Sequence, residues 1–137
     1  MPNSVIFKGK IGKFNRVISV SGDKSLSIRW VLLSSLANGI STAKNLLISE
    51  DVLAAINAIK KFGIKSKIYK NECKIFGGGL DGYKYKKKIK INAQNSGTLG
   101  RLILGLLINS PYPIKLIGDR SLSRRDFSRI TIPLSKF

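Results

Sequence analysis

Val17-Ile18-Ser19-Val20-Ser21-Gly22-Asp23-Lys24-Ser25-Leu26-Ser27-Ile28-Arg29 runs from an apolar alternation through a polar turn into the apolar stretch Trp30–Ala37. The alternation over Val17–Val20 predicts a strand. The run after the turn predicts a helix from about Ser25 to Ala37, stopped by Asn38-Gly39. A helix N-terminus offers N–H groups without intrahelical partners and the positive end of a dipole, which suits an anion. Lys24 and Arg29 add full charges there, and Ser25 adds a hydroxyl donor. A Lys-Ser pair at a helix start is by itself ordinary capping. Gly-Asp-Lys-Ser followed by Ser27 and Arg29 reads instead as a cradle for phosphate or carboxylate. It is not a Walker loop, because Gly-x-x-x-x-Gly-Lys-[Ser/Thr] is absent.

Downstream, a short strand is expected over Thr42–Leu46. Ser49-Glu50-Asp51 opens a second helix with a polar cap and an acidic first turn. Val52, Leu53, Ile56, Ile59 and Phe62 keep helical spacing, and Gly63 ends it. Lys65–Tyr69 and Lys74–Phe76 read as a hairpin about Asn71, and Gly77-Gly78-Gly79 as a flexible connection. The pattern then restarts: strand Lys88–Asn92, polar turn Gln94–Thr98, helix Leu99–Ile108 and strand Ile114–Ile117. A further helix is expected between Asp126 and Phe137, which Pro133 must bend, delay or end. Asp23 and Asn95, Ser25 and Gly97, and Arg29 and Arg101 are each 72 positions apart, and Lys61-Phe62 recurs as Lys136-Phe137. The fold class is therefore α/β (α+β), with one complete βαβαββ unit and part of a second. An unfinished repeat leaves core surface uncovered, so the expectation is an N-terminal piece of a longer protein.

The 137 residues suit one ordinary domain, and an apolar fraction of 43% argues against disorder. Cys73 alone cannot form an internal disulfide, and with no signal-peptide pattern or membrane-length apolar run the expectation is a cytoplasmic protein. The absence of histidine excludes histidine catalysis within the chain. Lysine dominates the net charge of +18, especially in Tyr83-Lys84-Tyr85-Lys86-Lys87-Lys88-Ile89-Lys90. Basic stretches with aromatics can mark nucleic-acid binding, but lysines flanking a strand are more simply a solvated, aggregation-resistant edge. A nucleic-acid partner is accordingly not the favoured reading.

Two more segments carry anion-binding chemistry. In Asn95-Ser96-Gly97-Thr98-Leu99-Gly100-Arg101, Gly97 permits close approach of backbone to ligand, and Asn95 and Thr98 offer side-chain hydrogen bonds. Gly118-Asp119-Arg120-Ser121-Leu122-Ser123-Arg124-Arg125-Asp126 places three arginines in a loop after a strand, where a guanidinium can clamp a carboxylate or phosphate bidentately.

Taken in order, these motifs resemble the 5-enolpyruvylshikimate-3-phosphate synthase (3-phosphoshikimate 1-carboxyvinyltransferase) family, from about Gly12 to Phe137. The resemblance rests on Gly22-Asp23-Lys24-Ser25-x-Ser27-x-Arg29, Asn45-Leu46-Leu47-x-Ser49-Glu50-Asp51, Asn95-Ser96-Gly97-Thr98-x-x-Arg101 and Gly118-Asp119-x-Ser121-Leu122-x-x-Arg125. It implies the enolpyruvyl transferase fold and transfer of the enolpyruvyl group of phosphoenolpyruvate to the 5-hydroxyl of shikimate 3-phosphate, with release of phosphate. No metal or organic cofactor is implied. Lys24 would contact both substrates, Ser25 and Arg29 would hold shikimate 3-phosphate, and Asn95, Gly97 and Arg125 would serve phosphoenolpyruvate.

Residues 1–20 would belong to the family's other domain, and 21–137 to a partial transferase domain. The family's proton-transfer groups lie later in its chain, so no catalytic residue is assigned here; the remainder of the enzyme is an expected partner, and no turnover is expected from this chain alone. Gly97 stands where some glyphosate-tolerant members carry Ala, implying a sensitive type of site. Asp126-Phe127 stand where the family usually has Pro-Met, which sets a carboxylate next to Arg125 in sequence. The competing reading is a small basic nucleic-acid-binding module built on Tyr83–Lys90, which leaves the motif series unexplained.

Overall fold

Helix α1, Lys24–Leu36, begins where Asp23 stops the chain from extending: the Asp23 carboxylate accepts the Leu26 N–H at 2.6 Å, satisfying one of the orphan donors of the first turn. The computed structural model describes residues 4, 6, 8–10, 12, 13, 15–70 and 72–137. From α1 the chain enters β1 (Asn38–Lys44), α2 (Glu50–Lys61), β2 (Lys65–Tyr69) and β3 (Glu72–Gly78). It continues through β4 (Ile89–Asn92), α3 (Gly97–Leu106), β5 (Ile114–Ile117), a 3-10 turn at Leu122–Arg124 and α4 (Ser128–Leu134). The α+β class is as expected, and both turns that open α1 and α3 lie at helix starts.

The strands form two sheets. One is antiparallel in the order β1-β3-β2, with Ser41 and Ser66 both opposite Ile75. The other is the parallel pair β4-β5, in register from Ile89 opposite Ile114 to Asn92 opposite Ile117, with α3 as the crossover between them. The core lies between the antiparallel sheet and the helices. Ile28, Val31 and Leu32 of α1 meet Val52, Ile56 and Ile59 of α2, Cys73 and Ile75 of β3, and Leu99 and Ile103 of α3. Burying each such aliphatic side chain favours folding by about 1.5–3 kcal/mol. Phe62 is fully buried, its ring stacked on Tyr83 at 4.6 Å between centroids and 9° between planes. Apolar residues occur all round α1: Leu26 and Leu33 are 61% and 65% exposed. No described helix is long and apolar enough to cross a membrane.

Several local expectations change. No strand forms over Val17–Val20; Val17, Ile18 and Val20 are 102%, 72% and 68% exposed. Alternation and β-branching favour a strand, but a strand also needs a partner ladder, and here the Val20 carbonyl instead accepts from the Asn45 side chain at 3.1 Å. β1 starts at Asn38 and ends at Lys44, because Asn45 turns left-handed at φ 58°. Gly77-Gly78 are not a flexible connection but the end of β3, paired with Gly39 and Asn38. A Cβ on Gly77 would collide with the Ser34 and Ala37 carbonyls, so the missing side chain lets β3 press on the end of α1.

Ser49 precedes α2, but its hydroxyl is buried and makes no capping bond. α3 starts two residues earlier than expected because Ser96 caps it, its hydroxyl accepting the Leu99 N–H at 3.2 Å. The two capping residues, Asp23 and Ser96, are thus 73 apart (96 − 23) rather than 72. Gly63, at φ 83°, follows α2 as expected, and Pro133 is accommodated inside α4, one residue from its end. The hairpin tip expected at Asn71 lies outside the described residues.

Candidate anion-binding site

The first turn is clamped to the loop before α2. Gly22 packs so closely on Asn45 and Leu47 that a Cβ there would strike their backbone atoms. The buried Ser27 hydroxyl accepts the Leu47 N–H at 3.1 Å. With both ends of the turn held, Lys24 and Ser25 become the first two residues of α1. Lys24 Nζ pairs with Asp51 Oδ2 at 2.8 Å, linking the start of α1 to the start of α2. Ser25 is half-buried and Arg29 exposed, and neither side chain has a hydrogen-bond or ion-pair partner among the described residues. The cations therefore differ: Lys24 is already neutralised, whereas Arg29 is available.

The second cluster joins the α3 turn to the loop after β5. Parallel pairing continues past the strand ends, through Ala93 N–H to the Ile117 carbonyl and Asp119 N–H to the Gln94 carbonyl, both 2.8 Å. This places Asp119 beside Asn95. The Asp119 carboxylate accepts the Leu122 N–H and the Asn95 amide, each at 2.6 Å. The amide is thereby oriented with Oδ1 outward, where it accepts Arg125 Nη2 at 3.0 Å. Arg125 and Arg101 then converge over the first residue of α3. A Cβ built on Gly97 would lie 2.6 Å from Arg125 Nη1 and 3.2 Å from Arg101 Nη1. Arg101 also lies over the Phe127 ring, 5.5 Å from its centroid, and donates to the Asp126 carbonyl at 3.3 Å.

Asn95, Gly97 and Arg125 are thus brought together, and Arg101 joins them. The Gly97 and Thr98 N–H groups have no acceptor among the described residues. Two guanidinium groups and two free helix N–H groups around a residue without a side chain make a site for a carboxylate or phosphate. Arg120 and Arg124 do not join: they are exposed, with no hydrogen-bond partner among the described residues.

Asp126 does not neutralise Arg125. Its carboxylate turns to Ser128, accepting the N–H at 2.7 Å and the hydroxyl at 2.6 Å. Those two bonds, with smaller help from Arg129 and Arg101, hold it below the usual carboxylate range. The Leu122 N–H, then the Asn95 amide, hold Asp119 low in the same way. Carboxylates so stabilised as anions are poor proton donors. The donors that converge on Gly97 can hold and orient an anion.

Sequence reasoning noted Asp119 only as part of a motif; its role as the organiser of Asn95 depends on a contact 24 residues away. In the Tyr83–Lys90 stretch the tyrosines are taken up by the fold. Tyr83 stacks on Phe62 and bonds Ser35 Oγ at 2.6 Å, and Tyr85 packs edge-on against Phe62 and Tyr112. Burial pushes the Tyr83 phenol up. Neither ring is offered to a base, which removes the aromatic half of the nucleic-acid reading for this stretch.

Comparison with known proteins agrees with the motif series. The family model described as EPSP synthase (3-phosphoshikimate 1-carboxyvinyltransferase) matches residues 9–137. A 3-phosphoshikimate 1-carboxyvinyltransferase from Oenococcus oeni is 40% identical over 122 residues, covering 89% of this chain and 28% of that protein. One from Bacillus cytotoxicus is 39% identical over 120 residues, covering 88% of this chain and 28% of that protein. The solved EPSP synthase of Acinetobacter baumannii superposes with a TM-score of 0.80 at 34% identity, over 87% of this chain and 27% of that one. This chain therefore spans a little over a quarter of the length of the relatives it matches.

Proposed function

This chain belongs to the EPSP synthase family, and from that premise we propose that it serves the reaction after which its relatives are named. That reaction is transfer of the enolpyruvyl group of phosphoenolpyruvate to the 5-hydroxyl of shikimate 3-phosphate, releasing phosphate, within aromatic amino-acid biosynthesis. The chain's own share is binding. Arg29, Ser25 and Lys24 hold shikimate 3-phosphate; Gly97, Asn95 and Arg125, with Arg101, hold phosphoenolpyruvate. No residue here is assigned proton transfer, and the rest of the family's length is the partner that supplies it. We further assign residues 1–20 to the family's other domain and 21–137 to the transferase domain. The exposure of Val17, Ile18 and Val20 supports that division. A cytoplasmic location is in keeping with the lone, buried Cys73.

The observation that carries this reading is the convergence of Arg125 and Arg101 on the side-chain-free Gly97 at a helix start. Both substrates are multiply anionic, and fixed cations gain strength where water is excluded. Lys24 must leave Asp51 to reach a ligand, exchanging one carboxylate for another anion. Isothermal titration of the chain with phosphoenolpyruvate and with shikimate 3-phosphate tests the assignment. Arg125→Ala should lose the first affinity and Arg29→Ala the second, each by about tenfold or more for a charge-assisted bond. Equal affinity in wild type and both variants would contradict it.

A further inference from the structure

The antiparallel sheet has one face on the core and one in water, and the outer face is unusual in composition. Residues directly opposite in a ladder point to the same side, so the pairs Lys65–Phe76, Lys67–Lys74 and Tyr69–Glu72 of β2 and β3 share that face. Ile40, Thr42 and Lys44 of β1 extend it. The intervening residues Cys73 and Ile75 are fully buried on the other side. Tyr69 and Ile40 are 71% and 63% exposed, and Phe76 is partly buried. Lys67 Nζ lies 5.9 Å from the centroid of Phe76, and Lys70 Nζ 5.4 Å from that of Tyr69. One acid answers these lysines on the face, Glu72, and Lys74 pairs with it at 3.1 Å. Beside edge strand β2 the face continues into an open groove of about 680 Å³, whose lining includes Lys60, Lys65, Lys67 and Phe76.

We propose that this sheet face binds single-stranded nucleic acid, with bases stacked on Tyr69 and Phe76 and phosphates tracked by Lys44, Lys65 and Lys67. Rings standing on an exposed sheet among cations are the pairing that unstacked bases on a charged backbone require. Alternate residues along β2 are about 6.8 Å apart, so Lys65 and Lys67 match successive phosphates of an extended strand. A duplex keeps its bases stacked and inaccessible to the two rings. A membrane surface would need the apolar residues gathered together, whereas here lysines interleave with them. This surface is built on β1, β2 and β3, outside the Gly97 cluster, and does not depend on the transferase reading.

The test is fluorescence anisotropy of the full chain with labelled oligo(U), a duplex of the same length and phosphatidylglycerol vesicles as competitor. With three phosphate contacts and a slope of about −0.7 per contact, affinity should fall about 20-fold between about 50 and 200 mM salt. Lys65→Glu with Lys67→Glu should weaken oligo(U) at least tenfold and flatten the salt slope. Lys86→Glu with Lys87→Glu makes the same charge change outside the three strands and should leave affinity within about threefold. Tyr69→Ser should weaken binding about tenfold with the slope unchanged. Equal losses in the two lysine pairs would overturn the proposal, because net charge alone would then account for binding. Equal affinity for the duplex, or displacement by the vesicles at matched charge, would overturn it as well.

Discussion

Gly97→Ala separates the folding role of the α3 turn from its binding role. The added Cβ would lie 2.6 Å from Arg125 Nη1, where ordinary contact begins at 3.4 Å, so the guanidinium must retreat by 0.8 Å (3.4 − 2.6). Arg101, at 3.2 Å, need move only 0.2 Å (3.4 − 3.2). The Arg125 guanidinium must therefore give up its place above the helix start. A hydrogen bond to a charged group contributes about 1.5–3 kcal/mol, so phosphoenolpyruvate affinity should fall about 10- to 100-fold. Stability should not fall with it. Both displaced atoms are the ends of flexible side chains, so the backbone of the helix start need not shift. Urea unfolding and isothermal titration on the same variant read the two effects separately. An affinity within twofold of wild type, or a stability loss above about 2 kcal/mol, would refute the assignment of Arg125 to the space above Gly97.

Gly22→Ala meets backbone instead of flexible side chains, at Asn45 and Leu47; the turn must shift, at about 1–3 kcal/mol, measurable as a lower urea midpoint with unchanged slope. Phe62→Ala removes a fully buried ring and its stacking on Tyr83, and thermal or urea unfolding should show a loss of about 3–5 kcal/mol. Asp119 has a folded pKa below its unfolded value. Its contribution is therefore fully present above the ordinary aspartate value of about 3.9 and lost as pH falls through the depressed folded value. Stability measured against pH should decline in that acid window, and Asp119→Asn should remove that part of the decline.

What could be read from the residues was whatever depends on near neighbours. Ile114–Ile117 is a strand at the boundaries its apolar run predicted, and the α1 turn forms around its own aspartate. What could not be read depends on partners distant in sequence. Val17–Val20 has the composition of a strand and no described strand beside it. The glycines at 77 and 78 look like freedom in sequence, yet Gly77 lets β3 press on the end of α1 and Gly78 packs against Gly82. Adjacent positions can also point apart: Arg125 faces Asn95 while Asp126 faces Ser128, so a carboxylate next in sequence leaves the arginine unneutralised. The Lys24–Asp51 pair links two helix starts that each look self-sufficient. The repeat spacing drew attention to Arg101, although only the three-dimensional turn shows it sharing Gly97 with Arg125.

The central claim is that two helix-start clusters hold two different anions. Amide-shift mapping of the isotope-labelled chain tests it most directly, with each substrate added in turn. Phosphoenolpyruvate should move the signals of Asn95–Arg101 and Arg125, and shikimate 3-phosphate those of Lys24–Arg29. Shifts concentrated at Lys84–Lys90, or the same diffuse pattern for both ligands, would contradict the account.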